Sequence, residues 1–208
     1  MVAYFLFRTT PPKRKSYSKT GIYLLFHAVH YLPYNAFHMP HSYKKFNELK
    51  RQFLTSHFSK KSRILDVGPG AGKYSDLLPG YSLDCVEVHE PYVAQFNLQE
   101  KYNQIFICHI SDFPLEEYQY DLAIFGDILE HLSIHEAQDI LLRVHATGAR
   151  SFIAVPYLYE QDSIDNNYNE AHLQPHLTPE LMLERYPNIH LFHRDKDYGL
   201  YTGPDNWV

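Results

Sequence analysis

Residues 63–74 read RILDVGPGAGKY, and the prediction of the fold begins from this segment. A compact apolar run ends in three glycines at alternate positions, Gly68, Gly70 and Gly72. Because glycine has no Cβ atom, such a run permits a tight turn and lets a ligand rest against bare backbone. The pattern predicts a buried strand that ends in a ligand-binding turn and continues into a helix.

The glycine spacing separates this turn from one that binds a dinucleotide. A dinucleotide-binding turn reads G-x-G-x-x-G and holds a pyrophosphate at the helix N-terminus. Here the spacing is G-x-G-x-G, and Lys73 occupies the position of the third dinucleotide glycine. Asp66 stands two residues before the first glycine, where an acid suits a cationic ligand better than a diphosphate. The sequence therefore favours a positively charged ligand over a nicotinamide dinucleotide.

Apolar, β-branched runs alternate with helical segments from residue 63 onward. The runs cover residues 63–67, 82–88, 104–110, 120–126 and 150–155, and the helical segments cover about 71–78, 91–101 and 134–147. Ser133 and Glu136 predict a capping box for the last helix, and Gly148 predicts its end. Strands separated by helices predict a parallel sheet that is covered on both faces.

The segments around this alternation complete the predicted organisation. Residues 1–40 form an N-terminal extension, and residues 41–208 form one domain. Apolar residues at helical spacing predict an amphipathic helix over 42–58, an N-terminal helical cap. Residues 157–177 are polar and too long for an ordinary connection, which predicts a functional lid or insertion. A helix and two strands are predicted to close the domain, over about 179–186, 189–194 and 197–202.

Composition and charge indicate a protein of the cytoplasm. The net charge of −5 hides an asymmetry, because residues 1–63 hold twelve Lys and Arg against one acid. A basic front end can attract nucleic acid or an anionic membrane, but a solvated arm is the favoured interpretation. No run reaches the ~18 apolar residues of a membrane span. Cys85 and Cys108 lie in apolar runs, as expected for buried thiols of a reducing compartment.

Acidic residues also follow the later strands. Glu87 ends the second strand, where an acid can accept hydrogen bonds from both hydroxyls of a ribose. Asp112 follows the third strand beside Phe113, where it can accept a hydrogen bond from an adenine amino group. The fourth strand ends in FGDILEHL (125–132). The carboxyl ends of parallel strands meet at one edge of a sheet, so these residues are expected to surround one pocket.

At these residues the chain resembles the class I S-adenosylmethionine-dependent methyltransferases, over roughly residues 42–203. The matching stretches are LDVGPGAG (65–72), VEVHEP (86–91), SDFP (111–114) and FGDILEHL (125–132). The resemblance implies an α/β fold, a Rossmann-like, seven-stranded, mostly parallel sheet with helices on both faces and a reversed final hairpin. It implies S-adenosyl-L-methionine as the cofactor, in a pocket lined by Asp66, Gly68, Gly70, Gly72, Glu87, Asp112 and Gly126.

Histidines near the fourth strand and in the lid are the candidates for the chemistry. His131, His172 and His176 are candidate catalytic residues, because a hydroxyl acceptor has to lose a proton. The favoured prediction has no metal. An alternative metal site, built from Asp127, Glu130, His131 and His176, follows from a similar acid-x-x-Glu-His turn in the small-RNA 3′-terminal 2′-O-methyltransferases. The first acid is Asp here and usually Glu there, and packing by these side chains is a further alternative.

The resulting prediction is transfer of a methyl group to an oxygen or nitrogen of a small molecule or saccharide. One alternative is a metal-dependent RNA 2′-O-methyltransferase, which the basic front end favours and the acidic remainder of the chain disfavours. Another is a non-catalytic protein that retains the sheet. The glycines and Glu87 favour retained cofactor binding. The sequence does not predict an oligomeric state.

Overall fold

The computed structural model describes residues 44–164, 166–205 and 207. The predicted extension over residues 1–40 lies outside the described residues, as does the beginning of the helix predicted over 42–58. The described part of that helix confirms the amphipathic pattern, since Phe53 and Leu54 are buried while most of its polar side chains face solvent. Within the described ranges, no helix combines the length and apolar character that crossing a bilayer requires.

Within the described residues, the chain forms seven strands and six α-helices. The strands are β1 (Arg63–Val67), β2 (Ser82–Glu87), β3 (Gln104–Ile107), β4 (Leu122–Gly126), β5 (Arg150–Pro156), β6 (His190–Arg194) and β7 (Tyr198–Gly203). The helices are α1 (Asn47–His57), α2 (Lys73–Leu77), α3 (Pro91–Gln95), α4 (Leu98–Lys101), α5 (Ile134–Ala146) and α6 (Pro179–Arg185). Short 3₁₀ turns cover Ile110–Asp112, Leu115–Glu117, Leu129–His131 and Tyr168–Glu170.

The strands form one sheet in the order β3-β2-β1-β4-β5-β7-β6. The strands β1 to β5 pair in parallel, whereas β7 runs antiparallel between β5 and β6. The predicted seven-stranded, mostly parallel sheet with a reversed final hairpin is therefore confirmed. The strand order reverses direction between β1 and β4, so the crossovers diverge there and leave a crevice at the carboxyl ends of the strands.

Each central strand is buried on both faces, which explains its continuous apolar sequence. In β1, Leu65 and Val67 enter the core on the side of α5, while Ile64 enters the core on the side of α1. On the α1 side, Phe53 stacks on Phe192 with ring centroids 4.1 Å apart. Helices thus cover both faces, and the sheet edge above β1 and β4 is left for a ligand.

Helix boundaries follow the local sequence chemistry. Before α5, the hydroxyl of Ser133 accepts from the backbone N–H of Glu136, whose carboxylate accepts from the backbone N–H of Ser133. This confirms the predicted capping box, and Gly148 ends the helix with a φ of +86°. The helix predicted over 91–101 is instead two helices, because Asn97 takes a left-handed conformation, φ +51°, and interrupts it.

Candidate active site

The glycine turn, residues 68–72, lies at the carboxyl end of β1. All three glycines have positive φ, +60°, +50° and +80°, which side chains with a Cβ adopt at a cost. A Cβ atom on Gly68 would lie 2.1 Å from Cδ1 of Ile128, whereas one on Gly70 would meet no atom within 4 Å. The glycine at position 70 therefore keeps the backbone open toward the space above the sheet.

A cavity of about 610 Å³ occupies this space. It extends from the glycine turn to the lid, residues 157–177. Its walls come from the ends of β1, β2, β4 and β5, the turn after β3 and the lid. A cavity of this volume is within the usual range for a small-molecule site.

Glu87 forms the wall of the cavity at the end of β2. Its side chain is 4% exposed, and its Oε1 accepts from the backbone N–H of His89 at 2.7 Å. Burial and, to a smaller extent, the charge of Glu170 raise the pKa of Glu87 to about 7, although hydrogen bonds from the backbone N–H groups of His89 and Gly70 oppose the rise. The backbone thus fixes the carboxylate in place beside the glycine turn.

Asp127 follows β4 and lies in a network of polar side chains at the base of the cavity. Its φ is +64°, an uncommon value for a residue other than glycine. Its carboxylate accepts from the ammonium of Lys73 at 3.0 Å and, through a short hydrogen bond, from the hydroxyl of Tyr198. Lys50 of α1, fully buried, donates to the Tyr198 hydroxyl at 3.2 Å. Burial, aided by Lys73, lowers the pKa of Lys50 to about 7.

The Leu129–His131 turn carries a buried carboxylate that has no hydrogen-bond partner. Glu130 is 1% exposed, and among the described residues neither of its oxygens meets a side chain or another residue's backbone at hydrogen-bonding distance. Burial holds the pKa of Glu130 well above its usual range, and the charge of Asp127 adds to the effect. Its backbone carbonyl does have a partner, the backbone N–H of Gln174 at 3.0 Å.

Two histidines meet beside Glu130. The rings of His131 and His172 lie with centroids 4.6 Å apart in an edge-on arrangement. Nδ1 of His131 lies 3.2 Å from the carbonyl of Ala171, and Nδ1 of His172 lies 2.7 Å from the carbonyl of Tyr159. A carbonyl oxygen can only accept, so each Nδ1 carries a proton and each neutral ring presents the lone pair of Nε2.

Burial lowers the pKa of His131 to about 4, and the neighbouring His172 contributes to the effect. Burial also lowers the pKa of His172. Both rings are consequently neutral at physiological pH, and a base with a pKa near 4 removes a proton from an alcohol poorly.

Gln174 fastens the lid to the Leu129–His131 turn. Its side-chain NH₂ donates to the carbonyls of Leu129 and Leu132 at 2.8 and 3.0 Å. Its carbonyl oxygen accepts from Arg185 at 2.9 Å and from the Tyr186 hydroxyl at 3.0 Å. The lid therefore has a fixed position at the end where it carries His172.

The other part of the lid contacts α3, next to Glu87. The hydroxyl of Tyr92 donates to Oε1 of Glu170 at 2.8 Å, and burial raises the pKa of Glu170. Asn167, which is 4% exposed, holds the Tyr168–Glu170 turn by accepting from the backbone N–H of Asn169 at 3.1 Å. The lid thus lies over both the Glu87 side and the His131 side of the cavity.

The structure brings together part of the predicted site. Gly68, Gly70, Glu87 and Gly126 line the cavity, as do Asp127, Glu130, His131 and His172. Among the predicted cofactor-binding residues, three are absent from the lining: Asp66, Gly72 and Asp112. Each is placed elsewhere for a definite reason.

Asp66 lies below the turn, where its Oδ2 accepts from the hydroxyl of Tyr102 at 2.6 Å and burial raises its pKa to about 7. At Gly72, a Cβ atom would lie 2.6 Å from Cδ of Lys101, so this glycine accommodates Lys101. Asp112 is exposed, because β3 ends at Ile107 rather than at residue 110. Residues 108–110 consequently occupy the position expected for residues 111–113.

His176 also lies apart from the cavity. Its side chain is 70% exposed, and the nearest acid is Glu160, with 4.0 Å between Nε2 and the carboxylate. Gln174, two residues earlier, points inward and the chain then turns outward toward α6. Of the two lid histidines, the structure brings only His172 to His131 and Glu130, and the predicted metal set with His176 is not assembled.

Several cavity residues were not singled out by the sequence. Tyr92, His109, Glu170 and Tyr198 all line it. The position of His109 near the end of the third apolar run could have indicated it. No sequence pattern indicates that Glu170 and Tyr198 line the cavity, because their positions there depend on contacts between distant segments of the chain. Cys108 also faces the cavity and is half-buried rather than buried.

Comparisons with known proteins agree with this geometry. A family model described as a methyltransferase domain matches residues 65–152, which contain the last three residues of β1, all of β2 to β4, the glycine turn, Glu87 and the Leu129–His131 turn. No curated protein matches the chain by sequence.

Solved structures share the fold at low sequence identity. The 1,6-didemethyltoxoflavin-N1-methyltransferase of Burkholderia thailandensis, solved with 1,6-didemethyltoxoflavin and S-adenosylhomocysteine, has a TM-score of 0.55 and 19% identity, covering 77% of this chain and 78% of that one. The magnesium protoporphyrin IX methyltransferase of Synechocystis PCC 6803, solved with S-adenosylmethionine, has a TM-score of 0.55 and 13% identity, covering 76% and 77%. The N-terminal domain of EvdMO1, solved with S-adenosylhomocysteine, has a TM-score of 0.57 and 14% identity, covering 76% and 81%. A methyltransferase-domain model thus matches part of the chain, and the fold is shared with solved S-adenosylmethionine-dependent methyltransferases, which is consistent with the class I family.

Proposed function

We propose that the protein transfers a methyl group from S-adenosylmethionine to an oxygen or nitrogen of a small molecule. The observation that carries the proposal is the single cavity that joins Gly70 and Glu87 to His131 and His172 under the lid. One end offers bare backbone and a fixed carboxylate, which suit an adenosyl group and its ribose. The other end offers imidazole and carboxylate groups, which suit a polar acceptor.

The cofactor end is assigned to Gly68, Gly70, Glu87 and Gly126. The carboxylate of Glu87 would accept hydrogen bonds from the ribose hydroxyls, while Gly68 and Gly70 let the ligand approach the backbone. A Cβ atom on Gly126 would lie 2.1 Å from Cε2 of Tyr74, so the absence of a side chain at position 126 leaves room for the Tyr74 ring at the end of β4.

The acceptor end is assigned to the lid and the Leu129–His131 turn. Methyl transfer is an in-line displacement in which a lone pair of the acceptor attacks the methyl carbon. The bond from carbon to sulfur breaks, its electron pair stays on sulfur, and the acceptor proton leaves to a base or to solvent. Because the donor is already activated, the protein mainly has to hold the three atoms in line. His131 and His172 are placed to contact the acceptor.

Calorimetry with S-adenosylmethionine and S-adenosylhomocysteine tests the cofactor half of the proposal. Each ligand should bind in one equivalent and raise the melting temperature, whereas NAD, with its diphosphate, should do neither. Absence of both heat and thermal shift in folded protein would contradict the proposal and favour a non-catalytic role.

A radiolabelled methyl group on the donor tests the acceptor half. Label should pass to a hydroxyl- or amine-bearing compound in a panel of small molecules that includes saccharides. We expect His131→Ala to lower turnover more than it lowers cofactor affinity. Transfer to a short RNA alone, with none to the small molecules, would contradict the proposed acceptor class and support the RNA alternative.

A further inference from the structure

We propose that Glu130, His131 and His172 form a binding site for a divalent transition-metal ion at the acceptor end of the cavity. One ligand atom from each of these side chains lies within 4.8 Å of the ligand atoms of the other two. All three residues line the cavity. Bonds from such an ion to carboxylate oxygen or imidazole nitrogen are about 2.0–2.2 Å long, so a small adjustment of the side chains brings three ligands onto one ion.

The hydrogen bonds around the cluster prepare both imidazoles for this role. The carbonyls of Ala171 and Tyr159 hold the Nδ1–H groups of His131 and His172, which fixes the tautomer and leaves Nε2 with its lone pair. Metal-binding histidines in proteins are oriented in this way by a backbone carbonyl or carboxylate on the other ring nitrogen. The arrangement therefore supplies two oriented neutral ligands.

Glu130 supplies an independent observation. A buried polar group normally has a hydrogen-bond partner, and a buried carboxylate without one is costly. Glu130 is 1% exposed, yet within the described residues neither of its oxygens has a partner on another residue. A ligand atom of each imidazole lies within 4.8 Å of a carboxylate oxygen of Glu130, and both rings lack a proton at Nε2. A cation between the three groups would satisfy the carboxylate and both rings together.

The ligand set indicates which cations fit. Two imidazoles and one carboxylate suit Zn²⁺, Mn²⁺, Fe²⁺ or Co²⁺, whereas Mg²⁺ and Ca²⁺ prefer oxygen ligands. Three protein ligands also leave coordination positions open toward the cavity. An acceptor hydroxyl bound at an open position would lose its proton more readily. This catalytic consequence rests on the proposed function, while the binding of the ion does not.

Titration with Co²⁺ tests the site directly. The full chain, without a polyhistidine tag, is stripped with EDTA, and Co²⁺ binding is followed by its visible absorption and by calorimetry. One equivalent should bind, Zn²⁺ should displace it, and millimolar Mg²⁺ should not. His172→Ala and Glu130→Gln should each weaken Co²⁺ binding at least tenfold.

The lid offers a matched control four residues away. His176 is exposed and lies outside the cluster, so His176→Ala should bind Co²⁺ as the wild type does. Glu130 is buried and its variant depends on correct folding, which circular dichroism checks. His172 is only half-buried, so His172→Ala keeps the test valid even if the other variant unfolds. Wild-type protein that binds no Co²⁺, or equal losses in His172→Ala and His176→Ala, would overturn the proposal.

Titration of the same stripped protein with S-adenosylhomocysteine separates the two proposals. Binding of S-adenosylhomocysteine without binding of Co²⁺ would overturn the metal site alone. Binding of Co²⁺ without S-adenosylhomocysteine would overturn the proposed cofactor site and leave the metal site standing.

Discussion

Glu87→Gln should stabilise the ligand-free protein and weaken cofactor binding at the same time. The substitution keeps the shape of the side chain and an oxygen that can accept from the backbone N–H of His89. It removes the negative charge. The two effects have opposite signs, because the charge costs free energy in the empty cavity and is useful only when a ligand is bound.

The stability effect follows from the pKa of Glu87. Burial raises this pKa from 4.5 to about 7. A carboxyl group with a raised folded-state pKa contributes its full stability below pH 4.5, and that contribution is lost as the pH rises through 7. A difference of about 2.5 units corresponds to at most about 3 kcal/mol. At roughly 2–4 °C per kcal/mol, Glu87→Gln should raise the melting temperature at pH 8 by several degrees.

The binding effect follows from the hydrogen bonds that the carboxylate would make with the ribose. Charge-assisted hydrogen bonds of this kind contribute about 1–3 kcal/mol, so the dissociation constant for S-adenosylhomocysteine should rise about 5- to 150-fold. The loss should be smaller at pH 6, where the wild-type carboxylate is itself largely protonated.

Differential scanning fluorimetry at pH 5 and pH 8 and calorimetry at pH 8 measure both effects. At pH 5 the variant and the wild type should have similar melting temperatures, because burial of the charge costs little there. Unchanged affinity at pH 8 would refute the assignment of Glu87 to the ribose. A variant less stable than the wild type at pH 8 would refute the charge argument.

Three further predictions concern the turn, the lid and the base of the cavity. Gly70→Ala and Gly148→Ala both place a Cβ atom at positive φ, with no other atom within 4 Å. Each should therefore lower the free energy of unfolding, measured by urea denaturation, by about 1–2 kcal/mol. Only Gly70→Ala should weaken S-adenosylhomocysteine binding in calorimetry. Gln174→Ala removes four side-chain hydrogen bonds and should lower the free energy of unfolding, measured by urea denaturation, by about 2–4 kcal/mol. Gln161→Ala removes one such hydrogen bond and should lower it by at most about 1.5 kcal/mol. The pKa of Lys50 falls from 10.5 to about 7, so its buried charge destabilises the protein fully below pH 7 and not at all above pH 10.5. Lys50→Met should therefore raise the melting temperature more at pH 6 than at pH 9.5. An equal change at both pH values would contradict this.

The sequence predicts the sheet well because each central strand is buried on both faces. The apolar runs at 63–67 and 120–126 mark the two central strands, and the glycines at alternate positions mark the turn between β1 and α2. Ser133 and Glu136 likewise act within one helical turn, so their capping box is readable from spacing alone.

The sequence predicts less where the outcome depends on a backbone conformation or on distant contacts. Nothing in the spacing of 91–101 indicates that Asn97 takes a left-handed conformation and divides the helix. Lys50 and Tyr198 are 148 positions apart, and Lys50 alone suggests a solvated face of α1. The choice between His172 and His176 depends on the direction of the chain after Gln174, which spacing does not determine.

The attachment of Gln174 to the carbonyls of Leu129 and Leu132 has a consequence for protein engineering. The lid cannot be replaced on its own to change the acceptor, because the hydrogen bonds of Gln174 depend on the positions of the carbonyl groups in and after the Leu129–His131 turn. A grafted lid would need a glutamine at the equivalent place, together with Arg185 and Tyr186 or substitutes for them. Without these residues, replacing the lid would also displace the imidazole of His131 and the carboxylate of Glu130, which the new acceptor is meant to contact.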